Sequence, residues 1–128
     1  MKKSILFYFI FLFPSFLFAD WFQIFSVDKG DLYIDTSSIK RNGNIIVFDQ
    51  LVNYKKSQKN GMLSLKTITE INCLNLQSRD LDYKVYKKKM ALGNNFYKGK
   101  PKKIWKNSKQ GTSVHFLNKV LCDRISSK

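Results

Sequence analysis

The sequence predicts an α+β chain that is mainly β: a single antiparallel sheet of about six strands, with one C-terminal α-helix packed on a face and disulfide-tethered to it. Three observations carry this expectation. Short apolar segments rich in β-branched and aromatic residues, divided by turn residues, fill most of the chain. One of those segments alternates so that Cys73 shares a side with Leu65 and Ile71. The only convincing helical periodicity, near the C-terminus, carries Cys122 in its apolar stripe.

The chain opens on MKKSILFYFIFLFPSFLFA, with a basic start at Lys2 and Lys3, an apolar run from Ile5 to Phe13, a break at Pro14-Ser15 and a small residue at Ala19. That order is a secretory signal peptide, with cleavage expected between Ala19 and Asp20. Ile5 to Ala19 is shorter than the ~20 apolar residues a membrane span needs, and it contains a proline. No cysteine stands at the cleavage point to carry a lipid. Residues 1–19 are therefore expected to be removed, and residues 20–128 to form one exported domain without a transmembrane segment, in the periplasm or at the cell surface.

In the exported part, WFQIFSV (Trp21 to Val27) reads as a strand, DKG as a turn and DLYID (Asp31 to Asp35) as a second strand. Asn42-Gly43 is a hairpin signal, because both residue types tolerate positive φ. The following NIIVFDQLVNY has apolar residues on both parities, which predicts a central strand covered on both faces. KNG, ending at Gly61, marks the next turn. In GMLSLKTITEINC the odd positions are Leu63, Leu65, Thr67, Thr69, Ile71 and Cys73, expected to face the core. Ser64, Lys66, Glu70 and Asn72 are expected on the other side. Near the end, Val114, Leu117, Leu121, Cys122 and Ile125 form one helical stripe, with Thr112 or Ser113 as its cap and Gly111 as the break before it.

The two periodicities aim both sulfurs at the same interior. A bridge across about fifty residues would stabilise a small exported domain by ~4 kcal/mol in the chain-entropy model; the alternative is two separate buried thiols. A domain this short needs such help, since it buries only about 65% of the surface its unfolded chain exposes.

These stretches together resemble the surface-adhesin protein E family of Gram-negative envelopes. The likeness runs through DWFQI, LYIDTSSIKRNGN, LVNY, SLKTITEINC, RDLDY, the Gly93 region, Trp105, and GTSV leading to Cys122, and so covers nearly all of the chain after the leader. The resemblance implies a curved antiparallel sheet, a C-terminal helix disulfide-tethered to its concave face, and a tendency to homodimerise. It also implies binding of host matrix or plasma proteins. The chain departs from a surface-anchored adhesin in having no lipid-attachment cysteine, which keeps a periplasmic location open.

Little in the sequence points to an enzyme. His115 is the single histidine. A Ser-His-Asp reading with Ser37 or Ser38 and Asp35 lacks the strained turn that exposes a nucleophile, and YIDTSSI reads more simply as a strand end whose side chains bond their own backbone. Asp80 and Asp82, two apart, could share a strand face, though the neighbouring Arg79 favours a solvated strand edge over an acid–base pair. No His/Cys cluster suits a metal once the cysteines pair, and no Gly-rich phosphate loop is present, so no cofactor is expected.

What stands out is charge. The formal net charge is +14, from twenty lysines and only three arginines against nine acids. From Lys84 to Lys109 there are ten lysines and no acid. Lys84, Lys87, Lys88, Lys89, Lys98, Lys100, Lys102, Lys103 and Lys106, with Trp105 and nearby tyrosines interleaved, form the candidate surface for an anionic partner: an acidic protein, or an envelope phosphate or glycan. Nucleic acid fits poorly, because an exported chain poor in arginine lacks the residue that reads phosphate bidentately. The plainer reading makes Tyr86 and Trp105 core residues and the lysines a solvated rim. The expected function is an exported binding module. The alternative is a periplasmic structural or assembly protein acting through dimerisation or strand addition.

Overall fold

A computed structural model describes residues 19–126; the expected leader, residues 1–19, lies outside them except for Ala19. Eight antiparallel strands form one sheet: β1 (Trp21–Val27), β2 (Gly30–Asp35), β3 (Lys40–Asn42), β4 (Ile45–Tyr54), β5 (Ser64–Asn72), β6 (Gln77–Tyr86), β7 (Tyr97–Gly99) and β8 (Lys106–Asn107). The single α-helix described, α1 (Ser113–Arg124), follows. The hydrogen-bonded path runs β1-β2-β4-β5-β6-β7, which is the six-strand sheet the sequence predicts. The two further strands, β3 on β4 and β8 on β6, are three and two residues long, too short for an apolar pattern to announce them.

The hairpin between β3 and β4 forms where Asn42-Gly43 marks it, but one residue later. Asn42 pairs Ile45, so the two-residue loop is Gly43-Asn44, and only Gly43 has positive φ.

Register fixes the two faces. Ile46–Ile71–Ser78 and Phe48–Thr69–Asp80 are cross-strand rows on the face that α1 covers. Ile34, Ile46, Phe48 and Ile71 pack there against Leu117 and Leu121. A bulge at Ile24 lets both Ile24 and Phe25 reach this core, and the Phe25 ring meets Phe116 edge-on at 5.7 Å. Cys73 and Cys122 form the disulfide, with Cα atoms 5.6 Å apart. At the other end of the helix Thr112 Oγ1 accepts from His115 N, as its place in the sequence predicts. The C-terminal carbonyls find a partner the sequence does not advertise: Arg41 on β3 donates through Nη1 to Cys122 O and Ile125 O.

The helical stripe needs one correction. Val114 is 51% exposed, whereas Asn118, one turn on, is buried. The residues the helix buries against the sheet are at positions 117, 118 and 121.

The central strand β4 is covered on both faces, but by halves. Ile46 and Phe48 face the helix; Leu51 and Asn53 are buried on the opposite face. A short 3-10 turn, Lys89–Ala91, closes that second face. Ser64 is consequently buried rather than exposed: its Oγ donates to Lys88 O and accepts from Ala91 N. Asn53 likewise accepts from Met90 N and donates to Met90 Sδ. Met90 and Ala91 hold left-handed φ values of 62° and 53°, a conformation costing non-glycine residues roughly 1–2 kcal/mol each. The two buried polar side chains are what fix it.

Candidate binding surface

Beyond the end of the helix the same sheet face continues uncovered. Two rows occupy it, Val52–Leu65–Val85–Tyr97 and Gln50–Thr67–Tyr83–Gly99. Leu65, Val85 and Tyr97 of the first row and Thr67 and Tyr83 of the second line an open groove of 720 Å³, together with Lys59, Met62, Phe96 and Pro101. Gly99 is required here: a Cβ at that position would lie 2.5 Å from the Tyr83 hydroxyl, so the ring rests directly on the glycine backbone. Tyr83 and Tyr97 stand 5.8 Å apart between ring centroids. Hydrogen bonding with Tyr97, then desolvation, then the neighbouring phenol's charge raise Tyr83 above its ordinary value of 10.0. The lining is mainly apolar and aromatic, with Lys59, Asn60, Thr67 and Asp80 as its polar and charged members.

The lysines single out more than one surface. Lys84 lies on the face away from the helix, paired with Lys66 on one side and Lys98 on the other. Lys66 meets Asp49 at 3.6 Å. Lys87, Lys88 and Lys89 are exposed in the bend after β6, where Lys87 Nζ sits 5.3 Å above the Phe96 ring. Lys100, Lys102 and Lys103 are exposed between β7 and β8, in the segment whose Pro101 lines the groove. Trp105 is half-buried, with the Arg79 guanidinium 4.2 Å over its ring, so that ring face is already stacked. Arg79 is itself held by Glu70 at 2.6 Å.

Next to the groove, β8 and the start of α1 enclose a recess of 340 Å³ lined by Lys102, Lys106, Lys109 and Thr112. Ser78, Asp80 and Val114 line both this recess and a deeper chamber of 190 Å³ between helix and sheet. In the chamber Gln50 Nε2 donates to Thr69 Oγ1, which donates to Asp80 Oδ1. Asn118 also faces it, and its Nδ2 is buried with no hydrogen-bond partner in the protein. Leaving a buried amide donor unpaired costs about 1–3 kcal/mol. Sequence reading passed over Asn118; the available signal was a polar residue four positions after Val114, inside the apolar stripe.

The acids and the histidine do not assemble a catalytic centre. Asp80 and Asp82 cannot share a face, because the bulge at Leu81 pairs Asp80 with Thr69 and Asp82 with Ile68. Between Ser78, which pairs β8, and Tyr83, which pairs β7, the outer side of their strand is unpaired among the described residues and Asp80 is exposed, so the acids lie on a solvated stretch of strand edge, as the sequence suggests. Asp35 accepts from Ser37 N and Ser37 Oγ, and Ser38 Oγ donates to Asp35 O, so these groups stabilise their own turn. His115 Nδ1 lies 3.1 Å from Ser108 Oγ instead. Among the described residues no cluster of His, Cys, Asp or Glu could hold a metal ion, and no helix is long and apolar enough to cross a membrane.

Comparison with known proteins bears on the whole of this arrangement. The family described as Surface-adhesin protein E matches residues 21–123. Among solved structures, the selenomethionine form of Haemophilus influenzae protein E is similar with a TM-score of 0.64 at 20% identity, over 87% of this chain and 92% of that one. Its crystal form II gives 0.65 at 19%, over 86% and 92%. Protein E from non-typeable Haemophilus influenzae gives 0.59 at 20%, over 86% and 80%. At these identities the structural likeness establishes the fold. No significant match was found among curated proteins.

Proposed function

The chain belongs to the surface-adhesin protein E family, and from that premise we propose that it is an exported, non-enzymatic binding module that captures an acidic segment of a partner protein in its open groove. One observation carries the reading: the face that buries the core at one end presents 720 Å³ of largely apolar and aromatic lining at the other, with Lys59 and Pro101 in that lining and Lys100 and Lys102 next to Pro101 in a chain of net charge +14. Apolar side chains of a partner would fill the floor between Leu65, Val85 and Tyr97, and carboxylates would meet Lys59, Lys100 and Lys102. Charged rims set encounter rate and salt dependence, while the desolvated aromatic centre supplies most of the affinity. The family's adhesin character makes a host matrix protein the first partner class to test. Export rests on residues 1–19 acting as a removed leader ahead of one domain, residues 20–128; intact mass of native material should begin at Asp20.

The test uses an immobilised acidic peptide of alternating glutamate and leucine, and in parallel a matrix-coated surface. Tyr97→Ala should abolish binding with little change in melting temperature. Lys100→Gln with Lys102→Gln should weaken it about tenfold, and raising salt from about 0.05 to 0.5 M should do the same. Binding unaffected by salt and by all three changes would overturn the reading.

A second reading, a structural role through strand addition or dimerisation, rests on β1. This seven-residue strand pairs only β2 among the described strands and carries Phe22 62% exposed. Phe22→Lys should then dissociate oligomers seen by light scattering while leaving peptide capture intact.

A further inference from the structure

We propose that Asp35 is the receptor for the amino terminus that leader removal creates: the α-ammonium of Asp20 is the counter-ion of this buried carboxylate, and cleavage between Ala19 and Asp20 stabilises the fold. The inference rests on the leader reading given above. Asp35 ends β2 and is 7% exposed. Its Oδ1 accepts from Ser37 N at 3.0 Å, Ser37 Oγ at 2.7 Å and Asp20 N at 3.1 Å. All three donors are neutral while Ala19 remains attached. A carboxylate this buried calls for a cation. Yet among the described residues the ion pairs are Lys66–Asp49 and Arg79–Glu70, so no described lysine or arginine pairs with Asp35.

The atom already in place is the one that cleavage charges. Hydrolysis adds water across the Ala19–Asp20 peptide bond: Ala19 leaves with the carboxylate, and Asp20 N becomes a primary amine that takes a proton and is cationic below about pH 8. The 3.1 Å contact to Asp35 Oδ1 then changes from a neutral hydrogen bond to a charge-assisted one, roughly twice as strong. The rest of the Asp20 backbone is held as well: its carbonyl accepts from Thr36 N at 3.0 Å and Thr36 Oγ1 at 3.4 Å. The effect reaches the core. Trp21, the next residue, pairs Asp35 at the start of β1, and β1 supplies Ile24 and Phe25 to the hydrophobic cluster. Ser38 Oγ donates to Asp35 O and accepts from Asp49 N on β4, so the same turn is tied to the central strand. Ala19 is exposed and coexists with the 3.1 Å contact, so an uncut chain meets no clash here and lacks only the charge.

The test compares the melting temperatures, at about pH 7, of two chains with defined termini: one beginning at Asp20, and one keeping Ala19 behind a few glycines. The extended chain should melt about 5 °C lower. Asp35→Asn should abolish the difference, because the ammonium then has no carboxylate to meet. Equal melting of the two wild-type chains, or an equal loss on extension in the Asp35→Asn background, would overturn the proposal. If Asp35→Asn does not fold, a semisynthetic chain beginning at Asp20 with its α-amine acetylated decides. It keeps the N–H donor and loses the charge, so it should melt with the extended chain; melting with the free-amine chain would be the negative result. Intact mass of native material separates the two ways of failing. A start other than Asp20 would overturn the leader reading and the biological role with it, whereas equal melting would overturn the ion pair alone.

Discussion

The two ends of one sheet face make an instructive pair. At one end β4 and β5 carry Ile46, Phe48 and Ile71 under Leu117 and Leu121, with the Cys73–Cys122 bridge and the Arg41 cap holding the helix down. At the other end β5, β6 and β7 carry Leu65, Val85, Tyr83 and Tyr97 into an open groove. The chemistry of the two floors is alike; the cover differs. A helix of twelve residues spans about 18 Å, whereas the nine residues of β5 extend about 30 Å. The helix is too short to cover the sheet it is tied to, and the uncovered remainder is apolar surface available to a partner.

The largest expected effect comes from removing the cover's tether. Replacing both cysteines, Cys73→Ser with Cys122→Ser, should cost ~4 kcal/mol in denaturant unfolding and increase binding of an apolar dye, because the covered end becomes more like the open one. Next, Leu117→Ala should destabilise by about 3 kcal/mol, and Leu65→Ala in the groove floor by roughly 1 kcal/mol. Equal costs would mean that the two ends are equally buried. Thr112→Ala, which removes the acceptor of His115 N, should cost about 1 kcal/mol and act only at the covered end.

The smallest effect is at high pH. Burial raises Tyr54 above 10.0, and Tyr97 raises Tyr83. The unfolded chain therefore loses these protons first. Stability should be level from pH 7 to about 9 and decline as pH rises through 10 and the raised folded values. A decline already present at pH 8 would require another titrating group.

Much of this contrast was legible in the sequence, and the reasons are physical. Alternation in LKTITEINC and the stripe from Leu117 to Ile125 are local periodicities, so both sulfurs could be aimed inward before any coordinates. Local pattern does not say how far a helix reaches along a strand, and Leu65 therefore read as core like Ile71. Nor does it reveal bulges. The extra residue at Leu81 separated Asp80 from Asp82, and no spacing rule could show it. The lysines were visible as a run, but a run of sequence became three patches. Strand alternation sent Lys84 and Lys98 to one face, the bend after β6 carried Lys87 to Lys89 to another place, and the segment after Pro101 put Lys102, Lys106 and Lys109 around the recess beside the groove. Arg41 as the helix cap is a contact across more than eighty residues of chain, beyond any local signal.

The most direct test is residue-level chemical-shift mapping of the exported chain with the glutamate–leucine peptide. The expected result is saturable shifts centred on Leu65, Val85 and Tyr97, with Ile46, Ile71 and Leu117 quiet. Shifts centred instead on Lys66, Lys84 and Lys98 of the opposite face would contradict the claim that the uncovered end of the sheet is where this protein binds.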